Sequence, residues 1–488
     1  MEEDRITAFD IKTKIVKSLK WTILMEIVIR LIQPVTILFL TRILSPSDFG
    51  LVGVATIIIG FSTIFQDFGL GKTLIQREQD IEKSANIVFW TNIGLSLFIY
   101  IILYISAPLL SGFFHEQKVV NVLRVLCLQI ILSGFISVHQ ALLQRKFQFK
   151  QLFIIKICTA FVPVLFSIPL ALKGYGVWAL IIGTLAGGVI QIIIYWKISP
   201  WRPELSYDFI VARQLIGFSS WVTSDALLSW LVTYGDSIMI GHSLNIKEMG
   251  IYRIGTNIVV AVIGIFMNPF LPVVYSAFSR LQSNLPETKQ LFMKMTKFIS
   301  AISLFVGFGL AVFAYPISKL IFGQKWHGIE IVIICIGIKE AISWIVGINS
   351  AVYTAVGRPD LNSRVHVIQL LWYLPLYIFF PSFGLEIFCI AYICAACISM
   401  FLHIYYSNKI LDYGWIKLIK NIRILLIATL LSVTAVLFSH SIFGIPFYLF
   451  DLLINGIIFV LIYFLVIFLN DRKFILNLFD LARNSMAK

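Results

Sequence analysis

Charge is scarce in this chain. Asp, Glu, Lys and Arg make up 13% of its 488 residues, against roughly 25% in a soluble globular domain, so water is not the solvent for most of it. Acid is scarcer than base: 25 Asp and Glu stand against 39 Lys and Arg. Cysteine is limited to Cys127, Cys158, Cys335, Cys389, Cys394 and Cys397, all inside apolar segments, which excludes a disulfide framework. Cys394-x-x-Cys397 has no His or acid beside it and reads as small residues packed on one helix face, not as a redox or metal pair. Long loops are also missing. The longest connections, near 197–214, 277–297 and 407–422, have room for a short interfacial helix at most, so no extramembrane catalytic domain is expected. Gly69-Leu70-Gly71-Lys72-Thr73 lacks the first glycine and the strand of a phosphate loop, and no HExxH occurs. Nothing in the sequence calls for a cofactor or a metal.

What is abundant is apolar: 59% of the chain. The apolar residues fall in continuous runs of about 20, the length of a membrane-spanning helix, and not in the alternation over about 10 that marks a membrane barrel. Fourteen spans are predicted, near 19–41, 49–69, 87–110, 119–143, 151–172, 176–197, 214–240, 250–276, 297–320, 329–354, 364–381, 384–406, 423–440 and 447–469. Pro34, Pro163, Pro169, Pro269 and Pro272 lie within or near span ends, where each can bend its helix. The first 20 residues are charged and the first apolar run is long enough to span, so no cleavable signal is expected.

The chain also repeats itself. Leu44, Asp48, Phe49, Gly50 and Leu51 return in register as Leu244, Glu248, Met249, Gly250 and Ile251. Further on the offset becomes 208: Pro108 answers to Pro316, Phe114 to Phe322, Cys127 to Cys335, and Gly176-Val177 to Gly384-Leu385. Six spans recur in each copy and the last two have no counterpart. The expected architecture is therefore an all-α integral membrane protein of 14 transmembrane helices: two pseudo-symmetric six-helix bundles plus two C-terminal helices. Two membrane bundles with a site between them is the plan of a transporter. The divisions are a basic N-terminus at 1–18, the first bundle at 19–197, a linker at 198–213, the second bundle at 214–406, a linker at 407–422, the last two helices at 423–469 and a tail at 470–488.

Basic residues set the orientation. Alternate loops, counting the N-terminus first, hold 28 of the Lys and Arg, and the opposite loops hold 6. The positive-inside rule places both termini in the cytoplasm. The same asymmetry accounts for the net charge of +14 without nucleic acid.

Five bases remain inside spans: Arg30, Arg124, Lys156, Arg253 and Lys339. An ionisable group in hydrocarbon costs a few kcal/mol, so each should face protein or water. Arg30 and Lys339 lie about ten residues into their spans, near the midplane at ~1.5 Å per residue. Arg124, Arg253 and Lys156 lie a turn or so inside a surface, within snorkelling reach. Among the acids, Glu26 precedes Arg30 by one helical turn and shares its face; Asp225 and Asp236 share a face of the seventh span; Glu340 adjoins Lys339. Two readings stay open for this set. One is internal ion pairing that holds helices together. The other is a cationic, water-filled vestibule for an anionic substrate, with the acids tuning it or binding a coupling cation.

Several segments look familiar. Trp21 after a Lys-rich N-terminus, Arg42-Ile43-Leu44-Ser45-Pro46-Ser47-Asp48-Phe49-Gly50, Asp67-Phe68-Gly69-Leu70-Gly71 and Leu74-Ile75-Gln76-Arg77 resemble the bacterial polysaccharide transporter family. So do Leu143-Gln144-Arg145-Lys146-Phe147 and Gly174-Tyr175-Gly176-Val177-Trp178-Ala179-Leu180. The nearest branch looks like the colanic-acid and teichuronic-acid exporters, in a superfamily with O-antigen flippases, the lipid II flippase and multidrug extruders. The resemblance covers nearly the whole chain, but its motifs mark structural turns and not the sugar carried. It implies a V of two six-helix bundles with two extra helices. It also implies a lipid-linked oligosaccharide, carried on undecaprenyl diphosphate and flipped from the inner to the outer leaflet of a bacterial inner membrane by alternating access. Related flippases hold the diphosphate with arginines on the first helix and around the cavity; Arg30 matches that pattern and Arg253 fits a second position. Lys339, Arg124 and Lys156 join the candidates through their depth alone. The expected partners are the lipid-linked substrate, membrane lipid, and glycosyltransferases and a polymerase of the same pathway, with a coupling proton or sodium ion left open. No covalent chemistry is required, so no enzyme is expected. The alternatives are a cation-coupled drug extruder of the same fold, against which the five bases argue, and a membrane polysaccharide polymerase or ligase, which needs a larger outer loop than any here.

Overall fold

The computed structural model describes residues 28, 32, 34–67, 70–76, 80–281, 284–443 and 448–476; within these, the side chains at 67, 72, 76, 209–225, 272 and 443 are outside the description. Every regular element among the described residues is helical. Twelve of the helices are long and apolar enough to cross a membrane. They correspond to twelve of the fourteen predicted segments. The predicted span 19–41 falls largely outside the described residues, which hold only its end as α1 (Pro34–Ile43). The predicted span 214–240 lies in a helix, Phe209–Ser243, whose first half has no described side chains.

The chain forms two compact units, Met1–Gly250 and Ile251–Lys488. In unit 1, α2 (Pro46–Asp67) leads to the short α3 (Leu70–Gln76), the long α4 (Ile81–Phe113), and α5 (Lys118–Leu126) running on into α6 (Leu128–Arg145). Then come α7 (Phe149–Leu172), α8 (Val177–Ile198), α9 (Phe209–Ser243) and the first turn of α10 (Ile246–Met267). Helix α7 packs on α8, α6 on both α4 and α8, and α2 on α5 and α9. The faces follow from the solvent. Along α4, Ser84, Asn86, Asn92 and Ser96 are buried, while Phe98, Ile101, Ile105 and Leu109 are exposed. Polar groups turn inward to find partners and apolar groups face what would be lipid.

The repeated motif has a structural purpose. Ser45 caps α2: its Oγ donates to Asp48 Oδ2 at 2.6 Å, and the same carboxylate accepts the Ser45 backbone N–H at 2.9 Å. Two hundred positions on, Asn245 Oδ1 accepts the Glu248 N–H at 2.8 Å. These are two versions of one N-terminal cap. The glycine that follows each cap permits a close approach. A Cβ on Gly50 would stand 2.0 Å from the Ile246 carbonyl oxygen, and one on Gly250 would stand 2.0 Å from the Pro46 carbonyl oxygen. The contact is reciprocal at the repeat offset, and only glycine fits either side of it.

Beyond α8 the chain turns back. Trp90 Nε1 donates to the Glu204 carbonyl at 2.7 Å, the Glu204 N–H donates to Asn86 Oδ1 at 3.0 Å, and Thr91 Oγ1 lies 3.0 Å from Tyr207 Oη. Arg202 donates to the carbonyls of Ser199, Trp201 and Trp196 at 2.6–2.7 Å. Residues 199–207 thus form a strap along the start of α4, without a helix of their own.

Unit 2 holds the rest of α10, then α11 (Phe270–Arg280), α12 (Leu285–Val312), α13 (Ala314–Ile317), α14 (Ile329–Ile345) and α15 (Asn349–Ala355). After these come α16 (Asp360–Phe379), α17 (Leu385–Leu411), α18 (Trp415–Phe443) and α19 (Tyr448–Asn470). Helix α12 crosses α14, α14 packs on α17, and α18 pairs with α19. Two of the long connections expected from sequence are shorter than their polarity suggests. Asn284 caps α12, accepting the Glu287 N–H, and Pro286 stands in its first turn, so helix begins at Leu285. The polar residues to Lys294 therefore extend the span. Helix α17 likewise runs to Leu411 and α18 starts at Trp415, with Asp412 and Gly414 at positive φ turning the chain between them. Tyr413 in that turn is buried, which pushes its hydroxyl up to about 12.

Candidate functional site

Unit 1 holds a half-open chamber of about 470 Å³ in which polar side chains stand among apolar surface, within the rough 300–1,000 Å³ of small-molecule sites. Five side-chain amides line it, from Gln66, Asn92, Gln140, Gln144 and Gln191. The hydroxyls of Thr63, Ser133 and Ser137 and the amine of Lys156 add to the wall, and no acidic side chain is among the described lining residues. Gly71, just past α2, and Gln144, beside Arg145, also line it, so the chamber lies toward the ends that carry the basic loops.

The amides divide by how fully they are used. Gln66 is buried and saturated: Nε2 donates to Ser96 Oγ at 2.8 Å and to the Ile130 carbonyl at 3.1 Å, and Oε1 accepts from Ser133 Oγ at 2.9 Å. It ties α2, α4 and α6 together. Asn92 donates to Ser137 Oγ at 2.8 Å, while its own amide oxygen has no partner. Tyr195, fully buried on α8, donates to Gln140 Oε1 at 3.4 Å, and Gln191 bonds the same hydroxyl. Gln140, Gln144 and Gln191 are half-buried. Gln140 and Gln144 are one turn apart on the same face of α6. An amide offers both donor and acceptor, so this lining suits a ligand rich in hydroxyls. On the same helices, Phe61, Phe65, Leu95 and Phe98 line a separate apolar groove of about 540 Å³.

The predicted site residues separate. Of the five bases, Lys156 lines the chamber, and it is not a free charge. Arg124 is held against α4: its Nε donates to the Tyr104 carbonyl at 3.3 Å and its guanidinium lies 4.3 Å from that ring's centre. Arg253 on α10 is half-buried and engaged. Lys339 on α14 pairs with Glu340 at 2.7 Å, and its amine lies 5.0 Å from the centre of the Tyr392 ring. Their side chains are 19% and 13% exposed, so this is an internal pair with little access to solvent. Asp236 on α9 is buried and accepts from Ser237 Oγ at 3.0 Å. Arg30 and Glu26 lie outside the described residues, as does the side chain of Asp225.

Sequence reading missed the amides, because an uncharged residue in an apolar run raises no alarm; the Gln140/Gln144 spacing within a span was the available signal. It also missed two polar clusters in unit 2. His403 on α17 is 3.5 Å from Tyr353 Oη and 3.4 Å from Gln369 Nε2. Asp451 at the start of α19 is buried, 3.3 Å from His440 Nδ1 and bonded by Asn455 at 2.6 Å.

The chain is similar to known proteins. Residues 39–331 match the family described as "Polysaccharide biosynthesis protein". The teichuronic acid biosynthesis protein TuaB of Bacillus subtilis is 26% identical over 72% of this chain and 73% of its own length. The lipopolysaccharide biosynthesis protein WzxC of Escherichia coli is 22% identical over 75% of each. Among solved structures, the lipid II flippase MurJ in an inward closed conformation superposes with a TM-score of 0.77 at 15% identity, covering 93% of this chain and 100% of its own, which establishes a common fold. With twelve candidate spans and a family match over more than half its length, this multi-pass membrane chain belongs to the polysaccharide biosynthesis protein family.

Proposed function

We infer that this protein is a flippase, moving a lipid-linked oligosaccharide or polysaccharide repeat unit from the inner to the outer leaflet of the bacterial cytoplasmic membrane by alternating access. The observation that carries this reading is the polar chamber inside helices whose outer faces are apolar. A saccharide headgroup cannot shed its hydration to cross hydrocarbon unaided, and a polar chamber inside the span region removes that barrier. The amide lining, free of acids among the described residues, also favours a saccharide over a cationic drug, although drug extruders share much of the fold. With both termini cytoplasmic, as the positive-inside rule predicts, the chamber belongs to the cytoplasmic half, where the substrate is made.

The diphosphate of the carrier lipid is assigned to bases on the spans. Arg30 leads, because its guanidinium fork suits a phosphate and it lies on the helix where the family resemblance puts such a residue. Arg253 is a second ligand and Lys156 a third. Lys339, balanced by Glu340, and Arg124, tied to Tyr104, are assigned weaker parts. Glu26, Asp225, Asp236 and Glu340 tune the charge or hold a coupling proton or sodium ion. No bond is made or broken, so the protein acts without catalysis.

The test is export of cell-surface polysaccharide at equal protein level. Arg30→Ala should abolish it and Arg30→Lys should restore it only in part, since one ammonium does not reproduce a bidentate fork. The double change Glu26→Gln with Arg30→Gln should stay inactive. Restored export in that double variant would make Arg30 a charge-balancing partner of Glu26 and remove it as a ligand.

A further inference from the structure

The chamber in unit 1 has a chemistry more specific than the transport of a saccharide requires. Its wall carries three half-buried amides, Gln140, Gln144 and Gln191, on two facing helices. Tyr195 orients two of them from behind, through a hydroxyl that is itself buried. Lys156, the one cation among the described lining residues, is already engaged. The Asn92 amide oxygen behind the wall is buried without a protein partner, while the three outer amides keep exposed surface toward the chamber. Sugar hydroxyls both donate and accept, as amides do. An ammonium in the same place would lose its hydration and find no counter-charge among the described lining residues, and a carboxylate would find only Lys156, which already has a partner.

We propose that this chamber is a binding subsite for one uncharged sugar residue, read by Gln140, Gln144 and Gln191, with Tyr195 as a positioning residue. The proposal deepens the flippase reading and rests on it for the identity of the larger substrate. It divides that substrate in two: phosphate toward the arginines, a neutral hexose-like unit in the amide chamber.

Binding of free sugars to the purified full chain tests it, by titration calorimetry with glucose, glucuronate and glucosamine. Glucose should bind saturably, and the two charged sugars at least about fivefold more weakly. Gln144→Leu and Gln191→Leu should each weaken glucose by about two- to tenfold, the worth of one hydrogen bond. Tyr195→Phe should weaken it less, with an unchanged melting temperature. Equal binding of all three sugars, glucose binding unaffected by both Gln variants, or no saturable binding by the wild type would overturn the proposal. Loss in a variant whose melting temperature also falls is judged by Gln144→Asn, which keeps the amide on a shorter stem: weakened glucose binding in a variant that melts like wild type supports the subsite, and unchanged binding refutes it. Flipping is measured apart, as leaflet accessibility of a polyprenyl diphosphate-linked glucose in vesicles. Glucose binding without flipping would keep the subsite and sink the flippase reading. Flipping without glucose binding would do the reverse.

Discussion

Replacing Gly50 or Gly250 with alanine should separate two helix starts that now touch. A methyl on either glycine would sit 2.0 Å from a backbone carbonyl oxygen, where ordinary contact begins at 3.4 Å. The helices must part by about 1.4 Å, or the new side must bend. The obstacle is backbone on both sides, so no rotamer change relieves it. Forcing an extra methyl into a packed contact costs about 1–3 kcal/mol, and each single variant should fall at the upper end of that range. The reciprocal geometry adds a sharper expectation. Once the helices have parted for one methyl, the second enters the gap already made. The double variant should therefore cost at least about 1 kcal/mol less than the two singles added, the coupling expected of residues sharing one contact. Unfolding of the purified protein in a graded mixture of detergents gives all four corners of the cycle. Additive costs, or a single variant within about 0.5 kcal/mol of wild type, would refute the close approach.

Other expectations follow from features already described. Lys339→Met leaves Glu340 without its partner and should destabilise by about 3 kcal/mol, the low end for a buried pair because both side chains keep some exposure; adding Glu340→Gln should recover most of that loss in thermal unfolding. Ser45→Ala and Asn245→Ala each remove a helix cap and should cost about 1 kcal/mol apiece by the same measurement. In a cysteine-free background, Ser47→Cys and Lys247→Cys should react with an impermeant thiol reagent added outside whole cells; labelling only after the membrane is breached would invert the topology. Tyr413 has its folded pKa raised to about 12 from 10.0, so its contribution to stability is complete below pH 10 and lost as pH rises through 12; Tyr413→Phe should flatten the fall in melting temperature across that window.

Hydropathy made most of the spans legible, because a bilayer demands the same thing of every one of them. Positions 44, 48, 49 and 50 and their partners at an offset of 200 were legible as a repeat. That they are capped helix starts pressed together was not, since a glycine in sequence does not say which backbone approaches it. Charge marks depth in the sequence but not the partners that the fold supplies. Lys339 and Arg124 stood out by depth, yet the fold gives one a carboxylate and the other a carbonyl and a ring. Lys156, which reads equally well as a snorkelling lysine, lines the chamber. The five amides in that wall carry no charge, and Gln66, Gln140 and Gln191 acquire meaning only when α2, α6 and α8 are brought together.

The strap at 199–207 also bears on how the protein is made. Its bonds reach back 114 to 118 residues, from Glu204 to Trp90 and Asn86. During synthesis, α4 leaves the ribosome with Asn86, Trp90 and Thr91 unserved, and they stay so until residue 207 has followed. Translation of one short polar stretch thus marks the completion of the first half of the chain. A ribosome stalled before residue 199 would leave an insertion intermediate with those groups open to quality-control proteases, and one stalled far enough beyond 207 for the strap to have left the exit tunnel would have closed them.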